Sequence, residues 1–133
     1  MMPTSPRLVE VTHGILRIAT GLLFMQHGVQ KLFGWLGGTQ VELVSQMGVA
    51  GILETFGGLL IVLGLFTRPV ALILFLEMVA AYVIAHIPMG LVPIQNRGEL
   101  ALLYAFIYLF LAAAGPGAFA LDGRRGSGGE RGR

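Results

Sequence analysis

Residues 8–32 read LVEVTHGILRIATGLLFMQHGVQKL, and the fold is decided by where the polar groups fall within that stretch. His13, Arg17, Thr20, Phe24, His27 and Lys31 follow one another at intervals of three or four residues. Such spacing draws one stripe along an α-helix, and the stripe gathers nearly every polar group of the segment. The opposite side carries Ile15, Leu22 and Val29. A helix of this length with an apolar back is long enough to cross the ~30 Å hydrocarbon core of a bilayer. Its charged stripe must then face other helices, because a charge at the bilayer centre costs at least ~2.5 kcal/mol.

The rest of the chain repeats the pattern. Of its 133 residues 55% are apolar and 12% charged, about half the charge of a soluble domain. That composition excludes an ordinary cytosolic enzyme and a disordered chain. Three further apolar segments follow residues 8–32, at 49–66, 70–87 and 99–114. The sequence Thr67-Arg68-Pro69 breaks the second from the third, and residues 88–98 form a loop before the fourth. Within Thr39–Met47 the spacing of Val41, Val44 and Met47 predicts a short helix along the membrane surface. The expected architecture is an all-α membrane protein, a four-transmembrane-helix bundle over residues 1–114. A flexible cytoplasmic tail is expected over 115–133. The first segment is read as a retained span, since His13 and Arg17 interrupt it and no small-x-small cleavage site follows.

Orientation follows from the basic residues. Arg7, Arg68, Arg124, Arg125, Arg131 and Arg133 share one side, against Lys31 and Arg97 on the other. This places both termini in the cytoplasm. The net charge of +2 gathers in the tail rather than on a face, so nucleic acid is not an expected partner. The absence of cysteine excludes disulfides, thiolate metal sites and thiol redox chemistry. No phosphate-binding loop, HExxH or nucleophile triad is present, and neither a metal nor a nucleotide is expected.

At ~1.5 Å per residue the intramembrane ionisable groups form two layers. Arg17 and Glu77 lie ~15–20 Å from the outer boundary, and their matching depth predicts a structural ion pair. Nearer that boundary lie His27, Lys31, Glu54, His86 and Glu99, one layer supplied by four spans. Two readings compete for this layer: a site for a quinone or polar headgroup, and a wet interfacial network whose members only satisfy one another.

Residues 17–34, RIATGLLFMQHGVQKLFG, resemble the first-span signature of the DoxX family. Residues 54–68, ETFGGLLIVLGLFTR, are similar to that family's second motif. His86 at the end of the third span, residues 98–103 (GELALL), Gly115-Pro116-Gly117 and Leu121-Asp122 complete the likeness. One departure is Ala120, where the family often carries serine. The resemblance implies a multi-pass protein of the bacterial inner membrane, associated with quinone-coupled sulfur oxidation or membrane oxidoreductase complexes. On that basis the chain is expected to be a DoxX-like subunit of such a complex, with quinone as the possible ligand and lipid and other redox subunits as partners. It has no redox centre of its own in this reading, so electrons would come from a partner, and whether it is itself an enzyme stays open. The alternative is a non-catalytic accessory or assembly subunit packed against a larger membrane complex. A small-molecule carrier is a weaker fit, since broken helices and internal repeats are missing.

Overall fold

The computed structural model describes residues 3–122. Every regular element among them is helical. Helix α1 spans Pro6–Phe33, α2 spans Gln46–Leu63 and α3 spans Thr67–Met89. A single turn, α4, covers Pro93–Asn96, and α5 runs over Glu99–Ala114. The first three long helices are long and apolar enough to cross a membrane, and α5 is a shorter apolar helix.

Local chemistry sets these boundaries. The Ser5 hydroxyl accepts from the Leu8 amide at the start of α1, where Pro6 loses no helical hydrogen bond. Gly34 closes it in the left-handed region at φ 69°, donating to the Gln30 carbonyl. The expected surface helix over Thr39–Met47 does not form. Residues 39–45 are turns and extended chain, and the Ser45 hydroxyl caps the Gly48 amide so that α2 starts at Gln46. Only Met47 of the three spaced residues falls within α2; Val41 and Val44 lie in the non-helical segment before its cap. Thr67-Arg68-Pro69 likewise proves to be the first turn of α3, where a proline needs no amide donor. The connection between α2 and α3 is correspondingly tight, with Gly64 at φ 65° and Phe66 at φ 52°.

The helices pack as two close pairs, α1 with α2 and α3 with α5. Between lipid-bathed helices there is little hydrophobic drive, so close approach through small residues carries the packing. A Cβ on Gly28 would come within 2.5 Å of the Thr55 amide nitrogen, which only glycine permits. At the centre, Phe24 meets the rings of Tyr104 and Tyr108 edge-on, each at 5.1 Å. Ile61, Ala71, Leu74, Met78, Ala105 and Leu111 fill in around them. Ile15, Leu22, Leu72, Leu76, Leu103 and Phe106 point outward, an apolar exterior of the kind lipid covers.

Arg17 is fully buried, but the expected ion pair with Glu77 is not formed. Its guanidinium instead donates to the carbonyls of Ile61 (2.9 Å), Ala118 (2.9 Å), Phe119 (2.9 Å) and Pro116. The physical reasons are position and donor number: Arg17 lies level with Ile61 and Gly64, whereas Glu77 lies beside Glu54, about two helical turns away along α2. Non-helical chain folded against the bundle leaves carbonyls unpaired, and five guanidinium donors can satisfy several of them where a carboxylate could use only two. The same contacts correct the expected flexible tail over residues 115–122. His13 Nε2 donates to the Gly115 carbonyl at 2.8 Å, and the Asp122 carboxylate accepts from the Phe66 and Thr67 amides at 2.8 and 2.9 Å. This segment is a clasp on one end of the bundle. The remainder of the expected tail, 123–133, lies outside the described residues.

Candidate functional site

The end of the bundle away from the clasp carries the polar chemistry. Lys31 sits in the last turn of α1, and its Nζ donates to both oxygens of Glu54 at 2.6 and 2.8 Å. Glu54 is 2% exposed, so this is a charge pair largely withdrawn from water. Glu54 lies in a π-helical turn, Leu53–Gly57, set into α2. A second π-helical turn, Tyr82–His86, ends with His86 on α3. Each wider turn shifts the residues beyond it around the helix axis, and such turns collect at functional sites. Neither follows from hydrophobic periodicity.

His86 Nδ1 lies 3.0 Å from the Asn96 carbonyl, which can only accept. That bond fixes the proton on Nδ1 and leaves Nε2 to accept from a ligand or, when protonated, to donate to one. Asn96 is itself fully buried and organises the loop. Its Nδ2 donates to the Gly90 carbonyl (2.8 Å) and the Tyr82 hydroxyl (3.0 Å), while its Oδ1 accepts from the Gly98 amide (2.8 Å). The next residue, Arg97, adopts φ 62°. His27 meets the ring of Tyr104 edge-on at 6.0 Å.

These groups line a cavity of about 260 Å³. Its polar wall comprises His27, Lys31, Glu54, His86, Arg97 and Tyr104, and Phe24, Met78, Ala81, Leu100 and Ala101 complete an apolar remainder. Four of the five expected outer-layer residues are thus neighbours of one space. Glu99 is not among them: it is exposed and lines a separate surface depression with Leu102, Leu103 and Phe106. Arg97 and Tyr104 take part although neither was singled out as a site residue from the sequence. Arg97 precedes a glycine in a loop, and Tyr104 reads as a packing residue until its depth is matched with His27. Glu77 lies beside Glu54 and lines a second cavity of about 230 Å³ on the other flank of the Lys31–Glu54 pair. Among the described residues no group of three or more His, Asp or Glu converges as a metal site would.

Chemically, the first cavity offers donors of three kinds, namely ammonium, guanidinium and phenol, and an imidazole nitrogen able to take either role. It faces them with an apolar surface. That combination suits a flat, partly polar molecule whose oxygen atoms change protonation.

Residues 13–87 match the DoxX family profile. The chain belongs to the DoxX family. The matched region holds His27, Lys31, Glu54, Glu77 and His86, together with both π-helical turns, whereas Arg97 and Tyr104 lie beyond it. An uncharacterised protein of Haemophilus influenzae is 40% identical over 116 residues, covering 82% of this chain and 87% of its own. The inner membrane protein YphA of Escherichia coli is 32% identical, covering 83% of this chain and 87% of its own. CatD of Bacillus subtilis, whose name assigns it provisionally to the oxidoreductases, is 31% identical, covering 85% and 86%. No solved structure gives a significant match. With its apolar exterior and membrane-named relatives, the chain is a membrane protein.

Proposed function

We propose that this DoxX protein is an integral subunit of a quinone-coupled oxidoreductase complex of the bacterial inner membrane and holds the quinone headgroup in the 260 Å³ cavity. The observation that carries the reading is the lining: proton-bearing groups from α1, α2, α3, α5 and the α4–α5 link converge on one apolar-backed space. Reducing a quinone to a quinol needs two electrons and two protons. The electrons come from a partner redox protein, and the protons are this chain's concern. Lys31 has one ammonium hydrogen left after its two bonds to Glu54, and Arg97 and Tyr104 add neutral or cationic donors that orient a carbonyl oxygen. His86 Nε2 takes a proton from a quinol hydroxyl or, already protonated, gives one to a quinone oxygen.

In this reading the chain crosses the membrane four times with both termini cytoplasmic, and the cavity opens in the outer half. At ~1.5 Å per residue the 16 residues of α5 reach about 24 Å, so the bilayer thins or the flanking segments complete the crossing. Glu54→Gln tests the site, since it preserves shape but removes the charge that holds Lys31. Co-purified quinone per protein should fall at least about tenfold while the variant inserts and assembles normally. Unchanged retention with normal assembly would sink the quinone reading and leave an accessory subunit, which the apolar exterior alone supports.

A further inference from the structure

Glu77 stands inside the bundle with no cation of its own. Lys31 spends two donors on Glu54, Arg17 is turned to carbonyls, and among the described residues no basic group comes within ion-pair distance of Glu77. One of its oxygens, Oε1, is buried without a hydrogen-bond partner. Its carboxyl lies within hydrogen-bonding reach of the Glu54 carboxyl. Tyr108 adds an independent sign: it is fully buried, its phenol oxygen has no partner, and it lies in electrostatic range of both carboxyls. The groups facing Glu77 are therefore Lys31 on α1, Glu54 on α2 and Tyr108 on α5, with Tyr104 beyond. Two neighbouring carboxylates on one cavity, Glu54 buried and Glu77 half-buried, beside a single ammonium do not both stay ionised. Lys31, Glu54 and Glu77 reach neutrality only with one additional proton among them.

The same residues form a partition. The 260 Å³ cavity and the 230 Å³ cavity share Lys31, Glu54 and Ala81. Glu77 lines only the second, with Ala50, Ala80 and Ala85. We propose that Glu54 and Glu77 share one proton, and that Lys31 exchanges it with whatever occupies the first cavity. The steps balance. A ligand oxygen anion takes a proton from the Lys31 ammonium, leaving an amine. The shared proton moves through Glu54 onto that amine, restoring the ammonium beside a carboxylate. Glu77 is left ionised and regains its proton from bulk solvent, delivered as hydronium through the second cavity, so that one proton taken from solvent balances the one given to the ligand. Only the recipient in the first cavity rests on the quinone reading; the shared proton stands apart from it.

Infrared spectroscopy of the full chain in detergent micelles tests this without a ligand. The parent should show a protonated-carboxyl carbonyl band that shifts in D₂O, and Glu77→Gln should abolish it while Glu99→Gln leaves it intact. Lys31→Met removes the ammonium, so both carboxyls should carry a proton and the band should double. A parent without the band, a band at full strength in Glu77→Gln, or an unchanged band in Lys31→Met would each overturn the proposal. If a decyl-tailed benzoquinone fails to bind while the band behaves as stated, the shared proton is supported and the quinone reading falls.

Discussion

Arg17→Lys distinguishes a guanidinium that organises backbone from one that neutralises a carboxylate. The substitution keeps the positive charge and most of the stem but replaces a planar fork of five donors with three hydrogens on one atom. In the structure Nε reaches the Ile61 carbonyl, while the two terminal nitrogens reach Pro116, Ala118 and Phe119. A single ammonium can hold one flank of that arrangement, so about two of the four bonds are lost. Charge-assisted bonds contribute roughly 1.5–3 kcal/mol each, and three of these acceptors are only partly buried, so the low end applies. The expected loss is about 3 kcal/mol. It should be read as the unfolding free energy from denaturing-detergent titration in mixed micelles, alongside protease sensitivity of residues 115–122. Were Arg17 paired with Glu77, lysine would serve nearly as well, and Arg17→Lys and Glu77→Gln would couple. The carbonyl arrangement instead requires the two changes to add within about 0.5 kcal/mol. A loss below about 1 kcal/mol with an unaltered protease pattern would refute the reasoning.

Reporter fusions at Gly38 and after the last residue should report opposite sides of the membrane; the same side would overturn the basic-residue orientation. Asn96→Ala strips three hydrogen bonds from a fully buried amide and should cost about 2–4 kcal/mol while loosening the loop that carries Arg97, measured by unfolding and by hydrogen exchange over 86–98. A cost under about 1 kcal/mol would show that water replaces the side chain. Gly28→Ala drives a methyl against the Thr55 backbone and should cost about 1–3 kcal/mol by prising α1 from α2, whereas a neutral result would mean the helices re-pack freely.

How much of this was legible depends on which coordinate a residue pattern encodes. The stripe His13–Lys31 gave both depth and facing because six spaced residues mark one side of a helix, and the structure buries Arg17, Thr20 and Phe24 from it. Depth alone gave less. Arg17 and Glu77, given one depth by counting residues, sit at different levels of the bundle: Arg17 against the Ile61 carbonyl at the clasp, Glu77 beside Glu54 nearer the other end. Glu99 has a suitable depth yet stands about 140° around α5 from Tyr104 at ~100° per residue, which takes it out of the cavity. The π-helical turns under Glu54 and His86 leave no periodic trace, and both shift the residues after them. Asn96 and Arg97 fall in a loop whose geometry depends on one buried amide rather than on a run of turn-forming residues.

The clasp also imposes an order on assembly. Arg17 leaves the ribosome well before three of its four carbonyl partners, which come about a hundred residues later. Until those partners emerge, the nascent first helix carries an unsatisfied cation, at a cost of ~2.5–3.5 kcal/mol near the bilayer centre on insertion scales. In the finished bundle the guanidinium meets those carbonyls instead of lipid. A chain interrupted before residue 116 would keep that cation exposed, giving membrane proteases a local mark by which to tell an unfinished bundle from a finished one.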